Sequence, residues 1–320
     1  MRQKDRGGTS GGFGSREGAL SVTPAAQAGV KQVVIHEDDL GMCHGANAAF
    51  LDLSQRGICT AGSVMVPCPW FLEIAAMQAE HPSLDIGVHL TLNAEKSFYR
   101  WRPLTRPSRA AGLTDQDGYA WKTVGELRRH AVLEAVEAEL RAQIDGALSA
   151  GIDVTHVDSH MGALLCPEFV ELYARVALDY ALPVLLTRTY ADYDPRHNLG
   201  DLSDTAPLGR AAAKVEAAGI ALADQVLETP WTRQGSPQAA YGALMARMKP
   251  GLNFLALHFN APGEIEAIEP KAAHIRTEEF ALFQDASFTG PLLAGCETLG
   301  MRGFRDALRA ARAKQSATRH

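Results

Sequence analysis

The chain has little that would tie it to a membrane, a nucleic acid or a disulfide framework. Across 320 residues no apolar run approaches the ~18 residues that a membrane span needs. Basic residues do not dominate. The 31 Lys+Arg stand against 37 Asp+Glu, and a net charge of -6 gives no reason to expect nucleic acid or an anionic membrane as partner. Cysteine is scarce: Cys43, Cys59, Cys68, Cys166 and Cys296 make an odd count with no C-x-x-C pair. That argues against a disulfide framework and fits a reducing, cytoplasmic compartment. No G-x-G-x-x-G follows the first apolar run, and no G-x-x-x-x-G-K-[ST] occurs, which disfavours dinucleotide and P-loop chemistry. Residues 1–30 are rich in Gly, Ser and charge and lack the apolar core of a signal peptide. They are expected to form a flexible tail, native or appended, before a single domain over residues 31–312. Residues 313–320 are expected to fray.

What is present is a regular alternation. KQVVIH, SVMVP, LDIGVHLTL, DVTHV, PVLLT, QVLE and LNFLALH are short apolar runs that read as buried parallel strands. Between them helical spacing recurs over Gly45–Gln55, Pro69–Glu80, Val124–Ala150, Pro167–Tyr180, Leu208–Ala218 and Pro237–Met248. Further helices are expected around Glu278 and over Met301–Arg312. About seven strands alternating with helices, with no repeat and no linker, predict an α/β fold of one domain. The expected form is a TIM-barrel-like (β/α) barrel, seven-stranded or otherwise distorted, with a doubly wound open sheet as the alternative.

The polar residues are placed with more order than the composition requires. Strand one ends in His36-Glu37-Asp38-Asp39, strand three in His89, strand four in His156-Val157-Asp158-Ser159-His160, and the last clear strand in His258. In parallel α/β folds the carboxyl ends of strands converge on one face, where ligands bind. Asp39, His89 and His160 make a carboxylate and two imidazoles, a set that can hold a metal and leave positions open for water and substrate. Such a centre also needs a base and an acid. Asp38 is available, but successive strand residues face opposite sides, so a bulge must re-aim one of the pair, and Gly41 makes a tight turn there plausible. His258 arrives from the opposite side of the barrel and is the candidate acid. His81, His130, His197, His274 and His320 read as structural. Cys43 stands out only by following Asp39 by four residues.

VVIHEDDLGMCHGANAAFLDLSQRGICTAGSVMVP, IGVHLTLN, THVDSHMG and FLALHFN follow one another in the order of the YdjC/ChbG family of carbohydrate deacetylases, which this chain resembles over roughly residues 31 to 310. The resemblance implies a TIM-barrel-like fold and hydrolysis of N-acetyl groups on sugars. It implies one divalent metal ion, Mg2+ or Zn2+, on Asp39, His89 and His160, with Asp38 as general base and His258 assisting the leaving group. His156 and Asp158 would orient the ligands. The partner implied is a small carbohydrate; monomer and homodimer both remain open.

The chain also departs from the family pattern. His36 and Glu37 stand where Asn-Ala is usual, Met161-Gly162-Ala163 where further His residues are common, and Phe259-Asn260 where Pro-Gly follows the late His. These changes leave the ligand set intact and point to a divergent subgroup. The irregular segment from Asn93 to Lys122 is the candidate substrate wall, with Trp101, Arg102 and Tyr119 as substrate-binding residues and Phe98, Tyr99, Trp121, Arg100 and Arg106 around them. Two rival readings stay open: a metal-dependent hydrolase of another amide, ester or phosphoester, and a sugar-binding protein without catalysis. A mononuclear site with few nearby cations weighs against the phosphoester, which usually recruits two metals or an Arg clamp.

Overall fold

Val33, Val34 and Ile35 are wholly buried, so the first strand has both faces covered and belongs at the centre of a sheet. The computed structural model describes residues 29–194, 198–233 and 235–317. His197, His320 and residues 1–28 of the expected tail lie outside the described residues. The strands are β1 (Lys31–Leu40), β2 (Ala61–Val64), β3 (Ile86–Leu90), β4 (Val157–Ser159), β5 (Gln225–Glu228), β6 (Gly251–Leu257) and β7 (Cys296–Thr298). They form one sheet in the order β4-β3-β2-β1-β6-β5, with β7 on β1, and every pairing is parallel. Along β1, Lys31–Glu37 pair with Gly251–Leu257 on one side. On the other, Lys31–Val33 take β7 and His36–Leu40 take β2.

The sheet curls with helices alternating between its strands, and single bridges reach across the remaining gap. Val184 pairs with Val157 beside β4, and Tyr193 pairs with Val226 beside β5. The outcome is a curled parallel sheet, a half-barrel of one α/β domain, in which the strand ends that carry the polar residues open on one side. Among the described residues no helix is long and apolar enough to cross a membrane.

Three expectations are corrected. PVLLT is a bridge rather than a strand. Pro183 has no N–H to give, and the N–H of Thr187 is taken by the Tyr193 hydroxyl. The seventh strand is instead the short β7, too brief and polar to announce itself. The helix expected over Val124–Ala150 is two helices, Val124–His130 and Leu133–Ser149. A Thr123–Glu126 capping box starts the first. The break falls where Gly112 packs on the His130 carbonyl and Val132 donates its N–H to Ala111. The last helix, Arg302–Ala317, runs past Arg312, where the helix expected from the sequence stops.

Candidate metal centre and active site

Asp38 and Asp39 reach the same cavity because the backbone turns between them. Asp39 has φ +64°, and the β1–β2 register slips between Glu37 and Leu40, so a bulge re-aims one carboxylate. Gly41, at φ +79°, completes the turn; a Cβ there would lie 3.0 Å from Val64 Cγ2 and 3.1 Å from Phe71 Cα. His89 sits within β3, and His160 follows β4 directly, ahead of Met161 and Gly162, which both hold positive φ. The cavity, of about 280 Å3, is lined by Asp38, Asp39, His89, Asp158, His160 and His258 among others.

Asp39, His89 and His160 form a tight triangle. Asp39 Oδ1 is 3.5 Å from His89 Nε2 and 3.1 Å from His160 Nδ1, and those two nitrogens are 3.3 Å apart. Each far ring nitrogen meets a carboxylate. His89 Nδ1 lies 3.0 Å from Asp158 Oδ1, and His160 Nε2 lies 2.9 Å from Glu95 Oε2. With the single proton of the neutral ring held there, each imidazole would present its inner nitrogen, His89 Nε2 or His160 Nδ1, as a lone-pair donor. Ser63 Oγ donates to Asp158 Oδ2 at 2.9 Å and so steadies that carboxylate.

Electrostatics hold Asp39 as the anion of the triangle. Burial opposes ionisation of Asp39, yet Arg276, with Nη2 2.9 Å from Asp39 Oδ2, and His160 hold its carboxyl well below the usual range. Burial also opposes charge on His160, but Glu95 and Asp39 raise its pKa to about 10. Asp38 goes the other way: burial, with the charges of Asp158 and Asp39, holds it well above the usual carboxylate range. His258 is depressed well below 6.5 by burial and by Arg276. Its Nδ1 rests 2.9 Å from Thr229 Oγ1, and its Nε2 lies 4.0 Å from Asp38 Oδ2.

His156 does not touch a ligand. Its Nε2 lies 2.9 Å from His36 Nε2, and His36 Nδ1 lies 2.7 Å from Asp38 Oδ1. Burial lowers both imidazoles to about 4. The pair therefore lies against Asp38, and of the two residues expected to orient ligands only Asp158 meets a candidate ligand, His89.

The loop residues are divided. Trp101 is buried, its Nε1 donating to the Asn93 carbonyl at 2.8 Å and its ring standing edge-on to His160 with centroids 6.0 Å apart. Arg102 and Tyr119 stack on each other, with Arg102 Cζ 4.6 Å from the ring centroid. They line a separate cleft of about 700 Å3 with Pro67 and Arg106, not the cavity of the triangle. Cys43 is buried against Asn260, whose Nδ2 lies 3.2 Å from its Sγ, and burial raises its pKa.

Strand-end reasoning missed Glu95, Lys96, Glu228, Trp231 and Arg276, which all line the cavity. The expectation of few nearby cations is thereby corrected: Lys96 and Arg276 are both there, each paired with carboxylates. Glu228, which accepts from Trp231 Nε1 at 2.8 Å, is raised by burial to about 7. Glu95 and Lys96 fall in the segment singled out for its aromatics. Arg276 lies in helix Ala273–Gln284, and nothing in its local sequence marks it.

Residues 32–292 match the model of a family described as YdjC-like protein. A carbohydrate deacetylase from Thermus thermophilus is 40% identical over 158 residues, which cover 49% of this chain and 54% of that protein. A chitooligosaccharide deacetylase from Yersinia enterocolitica is 27% identical over 162 residues, covering 49% of this chain and 60% of that one. The chain thus spans about half to two thirds of the length of the curated relatives it matches. A solved Enterococcus faecalis V583 structure, provisionally described as a cellobiose-phosphate cleavage protein, superposes with TM-score 0.68 at 19% identity, covering 85% of this chain and 98% of that one. At that identity the likeness concerns the fold alone.

Proposed function

The chain belongs to the YdjC-like protein family, and on that premise we propose that it is a metal-dependent hydrolase that removes N-acetyl groups from a small carbohydrate. The observation that carries the proposal is the Asp39–His89–His160 triangle, flanked in one cavity by Asp38 and His258. The triangle fits a metal by its dimensions. An ion bonded tetrahedrally at about 2.0–2.1 Å keeps its ligands about 3.3 Å apart, and the observed edges run from 3.1 to 3.5 Å. It fits by chemistry as well: Asp39 Oδ1 is buried without a well-directed hydrogen bond, an arrangement that costs free energy unless a cation meets it. Two imidazoles beside one carboxylate suit Zn2+ better than Mg2+.

A divalent ion on Asp39, His89 and His160 would supply Lewis acidity toward the acetamide carbonyl and acidify the attacking water. Asp38, with an affinity for protons strengthened by burial, takes the water's proton. His36 holds the other side of that base through Asp38 Oδ1. His258 presents Nε2 toward the same space because Thr229 occupies Nδ1. Its depressed pKa leaves Nε2 without a proton at rest, so the proton it hands to the departing amine nitrogen is the one Asp38 took from the water, received across the 4.0 Å between Asp38 Oδ2 and His258 Nε2. Trp231, tilted over His258 with centroids 4.7 Å apart, forms the wall against which a sugar ring packs. We place this activity in the cytoplasm, in keeping with five cysteines that are all free.

The test is to purify the protein without chelator, measure its metal content, and assay acetate release from a panel of N-acetylated sugars beside Asp38→Asn. About one metal per chain, with acetate release abolished in the variant, is expected. Bound metal without acetate from any sugar shifts the reading to another amide or ester. No metal after reconstitution sinks it.

A further inference from the structure

Six side chains close a ring around two of the three candidate ligands. His160 Nε2 lies 2.9 Å from Glu95 Oε2, and Glu95 Oε1 lies 2.9 Å from Lys96 Nζ. Lys96 Nζ is 2.8 Å from Glu269 Oε1, whose partner oxygen Oε2 accepts from Arg276 Nε at 2.8 Å. Arg276 Nη2 is 2.9 Å from Asp39 Oδ2, and Asp39 Oδ1 stands 3.1 Å from His160 Nδ1. Each carboxylate uses one oxygen for each neighbour. The members come from the end of β1, the segment after β3, the segment after β4, and residues 269–276, so no single stretch of sequence builds the ring.

Stability does not explain such an arrangement. Lys96 and Arg276 have only 7% and 3% of their side chains exposed, and Glu95 and Glu269 only 21% and 22%. Desolvating buried ion pairs costs about what their attraction returns, and apolar packing of equal volume serves as well. What the ring does provide is orientation. Arg276 ties down Asp39 Oδ2 and leaves Oδ1 facing His89 and His160. Glu95 ties down His160 Nε2 and leaves Nδ1 facing Asp39. Lys96 and Glu269 join those two anchors and so set the angle between the two ligands. His89 stands outside the ring, with its own carboxylate in Asp158.

We propose that Glu95 and Arg276 are positioning residues for the metal ligands His160 and Asp39, and that Lys96 and Glu269 are the strut holding the two ligands at one separation. The inference rests on the metal reading above. It assigns Glu95, Lys96 and Glu269 a role in metal affinity although none of them touches the ion.

The experiment measures Zn2+ affinity by competition with a chromophoric chelator, and the visible spectrum of the Co2+ form, for the full chain and for Glu95→Gln and Lys96→Met. Thermal unfolding in excess chelator serves as the folding control. Loss of an orienting partner should weaken Zn2+ binding by about 10–100-fold in Glu95→Gln, with a changed Co2+ spectrum. Lys96→Met, which touches no ligand, should give a smaller loss in the same direction. Wild-type affinity and spectrum in a folded Glu95→Gln overturn the proposal. If that variant does not fold, unaltered binding by Lys96→Met overturns it instead. A wild-type chain that binds neither ion brings down the metal reading itself, which is a different result from tight binding unaffected by the ring.

Discussion

Asp38 and Asp39 are neighbours in β1 and still face one cavity, because Asp39 adopts φ +64° where the β1–β2 register slips. The turn gives the two carboxylates opposite characters. Asp39 is pulled down by Arg276, while Asp38 is pushed up by burial. They should therefore separate under the same substitution. Asn tolerates left-handed backbone, so Asp39→Asn keeps the turn but loses an anionic ligand. Zn2+ affinity should fall by more than the ~10–100-fold expected for an orienting partner. Asp38→Asn should bind Zn2+ as wild type does and release no acetate. Equal metal loss in both would mean that the two carboxylates share the ion.

The same turn makes a stability prediction. Gly41→Ala would place a Cβ 3.0 Å from Val64 Cγ2 and 3.1 Å from Phe71 Cα at φ +79°. Backbone strain of that kind costs about 1–3 kcal/mol. Urea unfolding should show a loss in that range, with lowered metal affinity because the bulge shifts. A change within about 0.5 kcal/mol, typical of an uneventful surface site, would show that the turn adapts freely.

How far the sequence carried this far depends on which physical signal each residue left. Strand ends converge by topology, so Asp39, His89, His160 and His258, each beside an apolar run, fall in one region on the sequence alone. The same rule cannot find Arg276, which reaches the cavity from a helix, or Glu95, which lies in an irregular segment. PVLLT misled because its composition is that of a strand, while its hydrogen-bond partners are set by Pro183 and the Tyr193 hydroxyl. β7 is three residues long and leaves no pattern to detect. His156 reads in the sequence as a strand-end imidazole but precedes β4, and its partner His36 is distant in sequence, so only the fold brings their Nε2 atoms to 2.9 Å.

The two aromatic groups should also part company. Tyr119 lines a cleft shared with Arg102, apart from the triangle. Trp231 lines the cavity itself and packs on both His258 and Arg276. With a mono- or disaccharide substrate, Trp231→Ala should lower kcat/KM by about 2- to 30-fold, one stacking contact being worth roughly 0.5–2 kcal/mol. Tyr119→Ala should leave it within about two-fold. If longer oligosaccharides restore an effect of Tyr119→Ala on KM alone, the outer cleft is where the chain of sugars continues. An effect of Tyr119→Ala as large as that of Trp231→Ala on the shortest substrate would contradict the separation of the two cavities.

Away from the site, Glu137 offers a test of pH dependence. Arg175 grips it with Nη1 2.8 Å from Oε1 and Nη2 2.7 Å from Oε2, and Arg141 Nη2 lies 2.8 Å from Oε1. These hydrogen bonds, Arg175 first and Arg141 second, lower the carboxyl from 4.5 to about 2. A pKa lower in the folded state means that the folded protein holds the proton more weakly than the unfolded chain does. The contribution to stability is thus complete above pH 4.5 and is lost as pH falls toward 2. Arg175 is 52% exposed, so solvent screens the cluster, and the whole effect should stay below about 1 kcal/mol. Glu137→Gln should accordingly be slightly less stable than wild type in urea at pH 7, more nearly equal in high salt, and indistinguishable from it near pH 2. A difference that persists at the acid end would assign the loss to packing of the side chain rather than to its charge.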